Sequence, residues 1–310
     1  MNSQPGGPAG RQIGPYQIEE AIGQGRMSRM YRGYHLRHKR PAAVKLFSWG
    51  LAEDEQFTAR FLKEAAAVAA LKHPNIVAGD EFGLFDGGYF FGMEFVAGQT
   101  VEQLIASGRR PAPAAVQAII TDVASALDYA HANHVLHRNV KPSNIILSEA
   151  GGAILADFGL AMLPAGTGHL PFAGLPDAPY YLPSEQAISA AAASPGGDIY
   201  ALGAVLFELI TGTPPYVAGT PLELVLKHRA APAPNVQDFA PQIPDAVKTV
   251  IQRAMAKDPA ARFATAAEMA GTLVQVWDTT ELPHLPTTPA PGGARPPPPP
   301  PPRGARGYPP

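Results

Sequence analysis

The chain has 310 residues, 46% of them hydrophobic, enough for one large or two modest domains with a buried core. Lys and Arg number 24 against 26 Asp and Glu, so there is no basic surplus of the kind that draws a protein to nucleic acid or anionic lipid. The absence of cysteine excludes disulfide frameworks and thiolate metal sites.

Residues 1–13 are rich in Gly and Pro and read as a flexible leader; they lack the basic region and apolar stretch of a signal peptide. The longest apolar runs, such as Ala201 to Leu206, fall far short of the roughly 20 residues a membrane helix needs, so no membrane segment is expected. Alternating apolar positions run from Tyr16 to Tyr31 on both sides of Ile22-Gly23-Gln24-Gly25 and predict a hairpin. A glycine turn there can lay backbone N–H groups against phosphate oxygens, or it can be an ordinary turn. Ala42-Ala43-Val44-Lys45-Leu46-Phe47 reads as a strand interrupted by one lysine, which in isolation would face solvent. Phe61, Leu62, Ala65, Val68 and Leu71 recur at helical spacing within a helix expected from about Glu55 to Leu71, and the same helix carries Glu64.

Two further strands lead through Tyr89 to Gly98. From Pro113 the period is helical, with Val116, Ile119, Ile120, Val123, Leu127 and Ala130 on one stripe. His131, His134 and His137 follow, and no carboxylate or further imidazole stands at ligand spacing to make them a metal site. Then come His137-Arg138-Asn139-Val140-Lys141-Pro142-Ser143-Asn144 and, after a short apolar run, Asp157-Phe158-Gly159.

This last pair of motifs resembles the catalytic and metal-binding loops of protein kinases, H-R-D-x-K-P-x-N and D-F-G, and is closest to bacterial serine/threonine kinases of the eukaryotic type. The resemblance covers roughly residues 14–278. It implies an α+β, two-lobed fold with a small antiparallel-sheet lobe (about 14–96) carrying one helix and a larger, mainly helical lobe (about 97–278). It implies ATP and Mg²⁺ as cofactors. Ile22, Gly23 and Gly25 would cover the nucleotide, Lys45 would touch its phosphates and pair with Glu64, and Met93 would guard the back of the adenine pocket. Glu94 to Val96 would form the hinge that bonds the base. Lys141 would neutralise the transferring phosphoryl group, Asn144 and Asp157 would hold the metal, and Arg138 would contact a phosphorylated activation segment. Asp198 would cap its helix and brace the catalytic loop, and Arg262 would pair with Glu185.

On the nucleotide side Ser28 replaces the third glycine of the phosphate loop, while Lys45, Glu64, Asn144 and Asp157 are intact. Three departures stand together on the acceptor side: Asn139 occupies the position of the catalytic Asp, Ala178 stands at the family's activation-segment threonine, and the activation segment itself is changed. Between Gly159 and Pro183 the one Ser or Thr hydroxyl is that of Thr167, so a phosphate-ordered loop on Arg138 is not expected. Residues 279–310, with prolines unbroken from Pro296 to Pro302, read as a disordered or polyproline II tail, either a spacer or a ligand for an aromatic-lined groove.

These features favour a cytoplasmic, ATP-binding pseudokinase or strongly impaired kinase with a signalling role. The alternatives are an active protein Ser/Thr kinase and a non-nucleotide scaffold that uses its lobes and tail to bind an unknown protein partner. The residues leave open a longer, membrane-tethered protein.

Overall fold

The computed structural model describes residues 9–25, 28–47, 55–85, 88–158, 160, 179–186 and 192–277. The hydroxyl-poor segment around Thr167 and Ala178 and the proline tail therefore lie outside the described residues.

The small lobe is an antiparallel sheet of six strands: β1 (Gln12–Ile13), β2 (Tyr16–Gln24), β3 (Ser28–His35), β4 (Arg40–Phe47), β5 (Gly79–Phe85) and β6 (Gly88–Glu94), in spatial order β1-β2-β3-β4-β6-β5. Pairing begins at Gln12 and Ile13 is buried, so the ordered sheet reaches two residues into the expected leader. Side chains alternate across a strand, and β4 uses both faces. Ala42, Val44 and Leu46 join Tyr16, Ile18 and Tyr31 in an outer cluster, whereas Ala43 and Phe47 belong to the main core with Lys45 between them on the same side. That alternation puts the lysine on the inner, cleft-facing side. The helix α1 (Glu55–Ala69) closes this side, with the Phe61 ring packed 5.4 Å from Phe47 and 4.6 Å from Tyr89.

Phe95, Val96 and Ala97 lead into the large lobe, which contains α2 (Val101–Ala106), α3 (Pro113–Ala132), α4 (Pro195–Thr211), α5 (Pro221–Ala230), α6 (Asp245–Ala254) and α7 (Ala266–Val276), with a three-stranded sheet β7 (Gly98–Thr100), β8 (Ile145–Ser148) and β9 (Ala153–Leu155) beneath the cleft. The predicted stripe of α3 is buried as expected, and α4 is buried at every residue from Gly197 to Thr211, as a helix apolar all round must be. One expectation is corrected here: the cap of α4 is Ser194, whose Oγ accepts from the Gly197 amide, with Pro195 opening the first turn. Asp198 sits inside that turn and is free for another task.

Beside α4, the buried His228 ring lies 2.9 Å from the Tyr200 hydroxyl. Burial and then the neighbouring Lys257 charge push the imidazole down to about 3 from an ordinary 6.5. The unfolded chain therefore takes up a proton that the folded chain refuses, so the contribution of His228 is complete above the unfolded value and is lost as pH falls towards the folded one. Urea titrations at about pH 7 and about pH 5 are expected to show stability falling with pH, and the fall is expected to be shallower in His228→Gln.

Candidate active site

A cleft of about 590 Å³ lies between the lobes. Its roof comes from the end of β2 (Ile22 and Gly23), Gly25 and the start of β3 (Ser28), its back from Lys45 and Met93, its outer edge from Glu94 and Val96, and its floor from Asn139, Lys141, Asn144 and Asp157. Of the twelve catalytic, nucleotide-contacting and metal-holding candidates expected from sequence, eleven thus line this one cleft; the exception is Glu64. Ala43, Val77 and Ile146 line the same cavity. Nothing in their chemistry marks them in the sequence, since an apolar strand residue reads as core until the gap opposite it is known.

The floor is built from backbone contacts outward. Asp198 accepts from the amides of His137 (2.9 Å) and Arg138 (2.7 Å) and from His131 Nε2 (2.8 Å), which fixes the loop to the start of α4. His137 is fully buried, with Nε2 3.0 Å from the Ala156 carbonyl, Nδ1 accepting from the Asn139 amide at 3.2 Å, and its ring 4.6 Å from that of Phe158. His131 and His137 are thus each committed to a separate structural bond. Arg138 and Asp157 both adopt left-handed backbone (φ +61° and +63°). Each such non-glycine residue costs on the order of 1–3 kcal/mol and persists where surrounding contacts over-determine it, a pattern concentrated at functional sites.

The Asn144 side-chain amide donates to the Asn139 carbonyl at 2.8 Å, which leaves its oxygen for a cation. Lys45 Nζ forms an ion pair with Asp157 across the cleft. Burial alone would raise the Asp157 pKa, but the charge and hydrogen bond of Lys45, aided by Lys141 and His137, outweigh it and hold the carboxyl below its ordinary range. Asp157 is accordingly an anion at neutral pH.

The expected pair of Lys45 with Glu64 is not the one formed. Glu64 Oε2 lies 3.3 Å from Arg138 Nη1, while Lys45 is taken by Asp157. The physical reason is an exchange of partners. Asp157 at positive φ presents its carboxylate to β4, and Arg138 at positive φ projects towards α1, so each anion meets a different cation. Arg138 is thereby paired with a carboxylate on α1, while the activation segment that the resemblance would set against it lies outside the described residues.

At the base of the large lobe Arg262 and Glu185 pair as expected through two bonds, Nη1 to Oε1 at 2.9 Å and Nη2 to Oε2 at 2.7 Å.

This two-lobed arrangement, with Lys45 facing Asn144 and Asp157 across an interlobe cleft, defines a protein-kinase-like fold. Residues 16–273 match the protein kinase domain family, and the chain belongs to that family. It is 35% identical over 269 residues to the serine/threonine-protein kinase PrkC of Bacillus subtilis, covering 87% of this chain and 41% of the relative. It is 37% identical over 268 residues to PknJ of Mycobacterium tuberculosis, covering 84% and 45%. The chain thus spans less than half the length of these curated relatives. Among solved structures it resembles the Mycobacterium tuberculosis PknI kinase domain at a TM-score of 0.70 and 30% identity, covering 87% of this chain and 99% of that one. No helix among the described residues is long and apolar enough to cross a membrane.

Proposed function

We propose that this chain binds ATP with Mg²⁺ in the interlobe cleft and transfers phosphate weakly or not at all, serving a signalling or regulatory role as a pseudokinase in the cytoplasm. The observation that carries the reading is Asn139. It lines the same cleft as Lys141, Asn144 and Asp157, yet offers an amide where a hydroxyl proton must be accepted. An amide can orient a hydroxyl through its oxygen but has no useful basicity.

The donor set fits the cofactor. The Asp157 carboxylate and the Asn144 amide oxygen are both hard oxygen ligands of the kind Mg²⁺ takes together with substrate phosphates. Bound magnesium nucleotide would supply the phosphoryl group and screen its charge. For their part, Lys45 and Lys141 would add positive charge around the phosphates, and the β2–β3 turn would cover them. Glu94 and Val96 would meet the base along the hinge.

A second reading has one observation in its favour: Lys141, Asn144 and Asp157 all reach the cleft, and phosphoryl transfer depends mainly on positioning and electrostatics. A slow protein Ser/Thr kinase is consistent with that set. The proline-rich tail would suit an aromatic-lined groove on a protein partner.

Thermal unfolding with ATP, with and without Mg²⁺, tests nucleotide binding. A native-state ligand at about 100 times its Kd adds about 2.7 kcal/mol, so Tm is expected to rise with Mg-ATP. An unchanged Tm at millimolar nucleotide would favour a scaffold that uses only its surfaces.

A further inference from the structure

The end of the small-lobe sheet away from the glycine turn gathers two imidazoles and two carboxylates. His35 ends β3, His38 lies in the turn to β4, and Asp80 and Glu81 lie near the start of β5; one ligand atom from each falls within 4.8 Å of all the others. His35 is completely buried, and its Nε2 has no hydrogen-bond partner. That nitrogen nevertheless faces Asp80 Oδ2 at 3.5 Å and Glu81 Oε1 at 3.7 Å. Such separations are too long for good hydrogen bonds. They are close to the edge of a tetrahedron whose corners stand about 2.0–2.1 Å from a central zinc ion, an edge of roughly 3.4 Å. The His38 ring completes the set, its centroid 4.2 Å from that of His35.

We propose that His35, His38, Asp80 and Glu81 form a binding site for a divalent transition-metal ion of the zinc class, which ties the β3–β4 turn to β5. Two nitrogen and two oxygen ligands suit zinc better than the all-oxygen preference of magnesium or calcium. Two arginines compete for the same oxygens: Arg40 Nη2 lies 2.8 Å from Asp80 Oδ2, and Arg37 pairs with Glu81. They neutralise the carboxylates, but they leave the buried imidazole nitrogen without a partner. Arg37 is exposed and Arg40 half-buried at the surface, so an ion can displace both guanidinium groups into water.

Binding has an internal cost that sets its strength. His35 Nδ1 accepts from the amides of Arg37 (3.2 Å) and His38 (3.3 Å), so the neutral ring carries its proton on Nε2. The ion must take the Nε2 lone pair, the proton must move to Nδ1, and both long amide contacts must open. The turn from Leu36 to Lys39 is exposed and can make that adjustment. The site is therefore weaker than a preformed structural zinc site.

Calorimetric titration of the full chain with Zn²⁺ alone, without nucleotide, tests the proposal in wild type, His38→Ala, Asp80→Asn and, as a control for the cleft, Asp157→Asn. The wild type is expected to bind one ion that Asp157→Asn retains. His38→Ala and Asp80→Asn are expected to weaken this ion by about ten-fold or more, at least the loss seen for an outer-shell partner. Because His38 is exposed and Asp80→Asn keeps its shape, both variants should fold, which their melting curves without metal will show. Cobalt(II) should give a tetrahedral visible absorption in wild type that His38→Ala lacks. No zinc uptake outside the cleft, or equal uptake by all four proteins, would overturn the site and leave the cluster as an ion-pair network.

Discussion

Arg262→Ala is expected to destabilise the chain by about 3–5 kcal/mol, the usual consequence of removing one partner of a buried ion pair. The guanidinium side chain is fully buried, and besides Glu185 it donates to the Ser184 hydroxyl (3.0 Å) and to the carbonyls of Gly196 (2.7 Å) and Ala256 (2.8 Å). It also stands 4.9 Å from the Tyr200 ring. One substitution would thus orphan two carbonyls and leave a largely buried carboxylate with no countercharge. In the wild type, burial pushes the Glu185 pKa up but the Arg262 bonds and charge hold it lower than usual, so its contribution is present above the unfolded carboxyl value and is lost as pH falls through the folded one. In the variant only the burial effect and weaker bonds remain, and the carboxyl pKa rises. The deficit should therefore be largest near neutrality and shrink in mild acid. Urea midpoints at matched m-values, taken at both pH values, measure it.

Asn139→Asp is expected to raise transfer to a protein substrate by about 10²–10⁴-fold, the range that general-base catalysis contributes. The loop should not move, because the residue is held by its backbone: its amide donates to His137 Nδ1 at 3.2 Å and its carbonyl accepts from Asn144 at 2.8 Å. The gain should grow as pH rises through the new carboxylate's pKa and then level off. Recovery is expected to be incomplete, since Ala178 still replaces the threonine that resemblance assigns to the acceptor side. Steady-state transfer rates across pH, wild type against variant, supply the measurement.

Much of the cleft was legible because strand alternation and short loops fix direction. Lys45 had to share a face with Ala43 and Phe47, and Lys141, Asn144 and Asp157 all line the cleft floor. Ion-pair choice was not legible. Glu64 sits on the expected helix, but whether it meets Lys45 or Arg138 depends on how α1 and two left-handed residues are placed, and no local pattern encodes that. The cap of α4 is Ser194 and not Asp198: Ser194-Pro195 is a helix-start signal, but the two glycines that follow it resemble a loop and move the apparent start to Asp198. The His35 cluster could not be read at all, because about forty residues separate its histidines from its carboxylates and only the β3, β4 and β5 arrangement brings them together.

The most direct measurement is γ-phosphate transfer from labelled ATP by wild type, Lys45→Ala and Asn139→Asp side by side, with bound nucleotide quantified in the same samples. The expected result is a wild type that holds Mg-ATP yet transfers little or nothing, a gain in Asn139→Asp, and weakened nucleotide binding in Lys45→Ala. Robust wild-type transfer that Lys45→Ala abolishes and Asn139→Asp leaves unchanged would contradict it, and would show that positioning suffices without a carboxylate at residue 139.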